Sequence, residues 1–238
     1  MFRDQDTLYE PRNLFIWFLL AFQGGALNVG GYLSVHRFVS HVTGFATLAG
    51  VYGAKQHLPE MLSTLLVPVF FVLGAMISAW FVERQRIREK SPKYSVVFSI
   101  IILNLIFIAM YGSAGFFGEF GEPFNFGRDM FLLFLLCFTC GLQNAVISSA
   151  SGAVIRTTHL TGPMTDFGIG LIRIWTTRKN INKQDLFATW CRLGIFISFV
   201  FGSLIGAAVF LQLQFYGFFL PVLLSLFVAI RLRVIKKM

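Results

Sequence analysis

The chain has 238 residues, 56% of them hydrophobic, including 29 Phe; 13% are charged and the formal charge is +9. With a mean hydropathy of +0.71, no water-soluble domain of this size could hide so much apolar side chain in its core, so the composition points to an integral membrane protein. The basic residues flank apolar runs instead of forming a basic domain, which argues against nucleic acid as a partner and leaves membrane lipid.

The apolar runs are about 20 residues long, enough to cross ~30 Å of hydrocarbon as helices, and they lack the period-two alternation of a membrane barrel. Six spans are predicted, at 13–35, 60–83, 94–116, 128–150, 186–211 and 213–232. The stretch LFIWFLLAF (14–22) has the apolar core of a signal peptide, but five comparable spans follow and no convincing cleavage site comes next. It is read as a retained first helix. Within and after it, FQGGALNVGG (22–31) carries Gln23, Asn28 and four glycines. Glycine weakens a helix and frees backbone polar groups that lipid cannot satisfy, so this segment is expected to face the protein interior.

HVTGFATLAG (41–50) then predicts a short helix with Thr43 as its N-cap. The second span holds FVLGAMISA (71–79) and the third LNLIF (103–107). In the fourth, TCGLQNAVISSASG (139–152) brings Gln143, Asn144 and three serines, and faces inward for the same reason as the first. Cys137 and Cys140 lie one turn apart with no second Cys pair or His cluster, so they read as small packing residues and no metal site is expected; Cys191 is alone. HLTGPMTDFG (159–168) predicts a second short helix, capped by Thr161 with Pro163 in its first turn. FVFGSLIGA (199–207) lies in the fifth span and LSLF (224–227) in the sixth. Arg192, at the start of the fifth, is expected to snorkel to the interface, with pairing to Asp166 or substrate binding as alternatives.

Counting Lys and Arg over these spans gives sixteen on the side of the termini against three, Arg37, Lys55 and Arg128, on the other, with Arg192 inside a span. The positive-inside rule therefore places both termini in the cytoplasm.

Several segments are written twice in the same order: HVTG and HLTG, FVLGAMISA and FVFGSLIGA, LNLIF and LSLF. The expected fold is all-α, with residues 1–120 and 121–238 as two three-helix repeats. An odd number of spans forces the second copy into the membrane upside down, a 3+3 inverted-topology repeat with broken or half-helices after the first and fourth spans. Helix N-termini hold anions through free N–H groups and the positive dipole end. The candidate substrate-binding residues are accordingly His41, Thr43, Gly44, His159, Thr161 and Gly162, with Gln23, Asn28, Gln143 and Asn144 lining a cavity. His41 and His159 titrate near neutrality and Asp166 is an acid at membrane depth, so these three are the candidates for proton coupling. Leu48 stands where a counterpart of Asp166 would be.

The pairing of GGALNVGGYL and RFVSHVTGFATLAG with GLQNA and IRTTHLTGPMTDFG resembles the YoaK-like family of bacterial membrane proteins, DUF1275, in order along the whole chain. The resemblance implies a six-helix protein of the bacterial inner membrane and assigns no activity. Many members carry Asp where this chain has Asn28 and Asn where it has Phe45, which leaves the His, Thr and Gly positions as the safer candidates.

The expected function is gradient-driven transport of a small anionic or polar metabolite, with protons as a candidate coupling ion and no cofactor; no GxxxxGK[ST] loop is present to bind ATP. One alternative is a channel in which Phe38 or Phe45 forms a constriction. Another is a membrane enzyme or assembly factor, but no HExxH or serine nucleophile elbow supports catalysis. A homo-oligomer is possible on composition alone.

Overall fold

The computed structural model describes residues 10–153, 155–158, 160–177 and 183–235, and it is helical with no strand among them. The helices, labelled here in chain order, are α1 (Pro11–Val35), α2 (Val42–Ala54), α3 (Leu58–Phe81), α4 (Glu83–Ile87), α5 (Tyr94–Ser113), α6 (Phe126–Ser151), α7 (Thr161–Thr176), α8 (Lys183–Leu213) and α9 (Phe219–Ile235). A 3₁₀ turn, Gln214–Phe218, joins the last two. Five stretches are long and apolar enough to cross a membrane; the fifth, Gln184–Leu232, takes in both α8 and α9.

Local chemistry sets the ends. Pro11 and Pro59 sit in first turns, where a missing N–H costs nothing. Asn125 caps α6 by accepting from the Gly127 N–H at 3.0 Å, while its own N–H reaches Asp129 at 2.8 Å, a reciprocal capping arrangement. α1 and α6 end alike, on a left-handed residue: His36 with φ 52° and Gly152 with φ 63°.

Two helix pairs are packed backbone to backbone. In the α1–α8 seam, a Cβ on Gly25 would collide with the Phe199 carbonyl, and one on Gly202 with the Phe22 carbonyl. In the α3–α6 seam, Gly141 faces the Phe71 carbonyl and Gly74 that of Phe138 in the same manner. The two seams correspond residue by residue. Phe22 and Gly25 precede Phe138 and Gly141 by 116 positions, and Phe71 and Gly74 precede Phe199 and Gly202 by 128. Small residues allow this approach, and close van der Waals packing replaces the hydrophobic effect that lipid removes between membrane helices.

Helix directions follow from the same neighbours. Phe18 lies by Gly194 and Gly30 by Phe210, so α1 and α8 run parallel. The chain then turns back at Gln214, whose φ is 51°. α9 retraces α1 in the opposite sense, with Ser225 beside Gln23 and Phe227 beside Phe15. α1 and α6 are the most enclosed helices, with 67% of each apolar window buried against 22% for α3. α3 turns Leu62, Leu66, Val69, Leu73 and Met76 outward, as a lipid-facing helix does.

Candidate functional site

The segments after α1 and α6 fold back into the bundle. Val39 accepts a hydrogen bond from the thiol of Cys137, near the middle of α6, and Ser40 bonds the Asn28 Oδ1 through its hydroxyl at 3.1 Å and its N–H at 3.4 Å. On the other side, the Thr157 carbonyl would lie 3.0 Å and the Thr158 methyl 3.1 Å from a Cβ on Gly24, near the middle of α1. From these depths α2 and α7 run outward again. α7 is antiparallel to α8: Gly170 packs on Thr189, and Arg173 pairs with Asp185 at 3.1 Å.

Between these two returning segments lies a buried amide pair. Gln23 donates from Nε2 to the Gln143 Oε1 at 3.0 Å and to the Ser225 hydroxyl at 2.8 Å, and Gln143 donates to the Leu20 carbonyl at 2.9 Å. Both are fully enclosed. In the complementary place Asn104 donates to the Thr139 hydroxyl at 2.6 Å and to the Leu135 carbonyl at 2.9 Å. In an apolar bundle each such bond is favoured because the alternative is an amide without a partner.

A cavity of about 290 Å³ opens where α7 begins, lined by Arg156, Gly162, Pro163, Asp166 and Arg192 among others. Its size is at the lower end for ligand pockets, roughly 300–1,000 Å³. The neighbouring Gly194 touches Phe18, seven residues into α1 and so about 10 Å along the helix. Arg192 Nε is 3.8 Å from Asp166 Oδ2, an ion pair too long for a hydrogen bond, with the Asp166 side chain 58% exposed. Two guanidinium groups against one carboxylate leave the cavity with net positive charge, and the free N–H groups of the first turn of α7 add to it.

The corresponding place beside α2 is lined by different side chains. Phe45, which stands where α7 has Pro163, is buried, and Leu48 replaces Asp166. Phe38 replaces Arg156 and stacks on Tyr32 at a centroid distance of 4.8 Å. The sequence repeats, but the side chains that line the α7 cavity do not.

Of the residues singled out from the sequence, Gly162 and Asp166 line the cavity and Arg192 pairs with Asp166. His41 is the N-cap residue of α2, and burial holds its imidazole below the usual range. Gly44 has only the Cβ of His41 near it, at 3.8 Å from a Cβ placed on the glycine. Gln23 and Gln143 bond each other inside the bundle, Asn28 anchors the first returning segment, and Asn144 is partly enclosed. His159 lies outside the described residues.

One expectation is corrected. Thr43 and Thr161 are not N-caps: α2 is capped by His41 and α7 by Leu160, neither with a side-chain cap bond, so both threonines already lie inside the first turn. Their carbonyls instead accept from Thr47 and Thr165 one turn on, at 3.1 and 3.0 Å. Each threonine turns its backbone into the helix, where its carbonyl serves the hydroxyl of a second threonine four residues on. Arg156 was counted only as a topological charge. Its place three residues before His159, in IRTTHLTG, was the available signal for a role at the α7 terminus.

Residues 16–231 match the model of a family described as Protein of unknown function (DUF1275). No curated protein and no solved structure is a significant match to the chain.

Proposed function

The chain belongs to the DUF1275 family, and we propose that it is a carrier for a small anion, held in the cavity at the start of α7 and driven by an ion gradient. The observation that carries this reading is the cavity itself: Arg156 and Arg192, with one opposing acid, converge on a helix N-terminus about 10 Å along the bundle. Arg156 is exposed at the mouth of the cavity and Arg192 is part-buried, with its side chain 28% exposed, so an anion entering there meets two guanidinium groups. The net charge suits a monoanion, or an anion that also carries a cationic group to face Asp166.

The matched seams support a six-span, inverted-repeat architecture. α1 with α8 forms one closely packed body and α3 with α6 the other, and they touch through Gln23 and Gln143. Rocking one body against the other would open the α2 side while closing the α7 side, which is the motion inverted-repeat carriers use. Phe45 buried beside α2 and the cavity open beside α7 are the asymmetry that one end state of such a cycle would have. The Lys and Arg distribution supports a cytoplasmic position for the α7 side and both termini.

The test is current evoked by small acids, amines and neutral metabolites from purified protein in liposomes on a solid-supported membrane. A saturable anion response in the wild type, lost in a folded Arg156→Gln, Arg192→Gln variant, is expected. An unchanged response in that variant would move the substrate elsewhere.

A further inference from the structure

The second returning segment differs from the first in one respect that points to a ligand. Among the described residues, five buried side-chain oxygen or nitrogen atoms lack any hydrogen-bond partner, and four of them, Gln23 Oε1, Asn144 Oδ1, Thr157 Oγ1 and Thr158 Oγ1, belong to one neighbourhood. Thr157 and Thr158 lie on Gly24, next to Gln23; Gln23 is bonded to Gln143, next to Asn144. Gln23, Thr157 and Thr158 are at most 1% exposed. In the first half the matching polar groups are satisfied, because Ser40 closes on Asn28. Asn144 follows Asn28 by 116 positions and Thr158 follows Ser40 by 118, yet that bond is not made.

The unpartnered atoms are all oxygens, two from hydroxyls and two from amide carbonyls, on a broken segment whose backbone carbonyls are also near. Hard, neutral oxygen donors without a carboxylate suit a monovalent cation, since a divalent ion draws on charged ligands. No group of three or more His, Cys, Asp or Glu able to hold a metal ion occurs among the described residues. Unwound segments of this kind bind Na⁺ in carriers built from inverted repeats.

We propose that Gln23, Asn144, Thr157 and Thr158 form a Na⁺ site at the tip of the second returning segment, and that Na⁺ is the coupling ion of the transport reading above, on which only this last clause rests. Binding would draw the segment onto α1 and α6 as Ser40 draws the first segment onto Asn28, so the cation would fix the α7 terminus that lines the anion cavity.

The experiment is thermal unfolding of the full-length purified protein in detergent, titrated with NaCl against choline chloride at constant ionic strength and without any anionic substrate beyond chloride. A saturable rise in Tm on the order of 5 °C is expected for a ligand at about a hundredfold its dissociation constant. Thr157→Val and Thr158→Val, which keep the side-chain shape, should each raise the apparent Na⁺ constant at least tenfold, and Ser40→Ala should leave it unchanged. Identical curves in Na⁺ and choline for the wild type would overturn the site. So would Na⁺ stabilisation that persists unaltered in the double Thr157→Val, Thr158→Val variant. Because the readout needs no transport, its failure leaves the anion cavity standing, and loss of anion current leaves the cation site standing.

Discussion

Gly202 of α8 and Phe22 of α1 meet so closely that no Cβ fits between the glycine and the phenylalanine carbonyl. Gly74 and Phe138 meet in the same way in the other seam. Gly202→Ala and Gly74→Ala should therefore each destabilise the protein by about 1–3 kcal/mol, the usual range for overpacking, because the obstacle is backbone and cannot rotate away. Gly50→Ala is the control. That glycine has nothing within 4 Å, so the substitution should be neutral or stabilising by up to about 1 kcal/mol through helix propensity. Thermal unfolding in one detergent compares all three, and equal midpoints would mean that the seams are looser than described.

The Gln23–Gln143 pair predicts an asymmetry between single and double replacement. Gln143→Leu removes one of the two acceptors of the Gln23 Nε2, leaving Ser225 as its sole partner beside an Oε1 that already has none, and should cost about 1–3 kcal/mol. Replacing both with Leu should recover part of that loss, since two apolar groups leave fewer unpaired amides. Additive losses in the double-mutant cycle would show that the two side chains do not depend on each other.

Charge neutralisation in the α7 cavity should separate its three ionisable residues. Arg192→Gln and Arg156→Gln are expected to weaken half-saturation for a transported monoanion by tenfold or more, about 1.4 kcal/mol per tenfold step. Asp166→Asn removes the one opposing charge and should tighten it. The concentration dependence of the evoked current measures all three. If Asp166→Asn weakened a monoanion as much as the arginine variants do, the acid would be a ligand partner and not a counter-charge.

His41 links the α2 terminus to pH. Its folded-state pKa is below the ordinary 6.5 because burial disfavours the imidazolium. The unfolded chain therefore binds more protons over the interval beneath 6.5. The stabilisation from a neutral His41 is fully present above that value and is lost as pH falls through the folded pKa. The Tm of the wild type should drop between pH 7 and 5 more steeply than that of His41→Gln. Parallel profiles would assign the pH dependence to other groups.

Much of this protein was legible in one dimension. Hydropathy places the first five expected spans within about three residues of the helices, because in lipid every backbone group must be paired within its own helix, whereas the sixth, expected from 213, begins only at Phe219 after a 3₁₀ turn. The interruptions were legible too. The glycines and amides of FQGGALNVGG (22–31) and the amides and serines of TCGLQNAVISSASG (139–152) are local signals, and the helices that carry them end shortly afterwards, at Val35 and Ser151. The repeated FVLGAMISA and FVFGSLIGA segments carry one glycine of each seam, Gly74 and Gly202, and the other two, Gly25 and Gly141, lie in the matching stretches of α1 and α6.

The tertiary structure decided what no local pattern encodes: how far the returning segments reach, and what meets them there. Gln23 and Gln143 are 120 positions apart, and only the crossing of α1 and α6 makes them one hydrogen-bonded pair. Arg156 and Arg192 read as an ordinary loop charge and a snorkelling residue until the path of α7 brings both to one cavity with Asp166. The two halves share a sequence signature, yet Phe45 is buried in one place and a hollow lined by arginines occupies the other. Composition and spacing are properties of neighbours along the chain, whereas a site is made by groups that packing brings together from distant helices, and its shape depends on side chains that a repeat does not conserve.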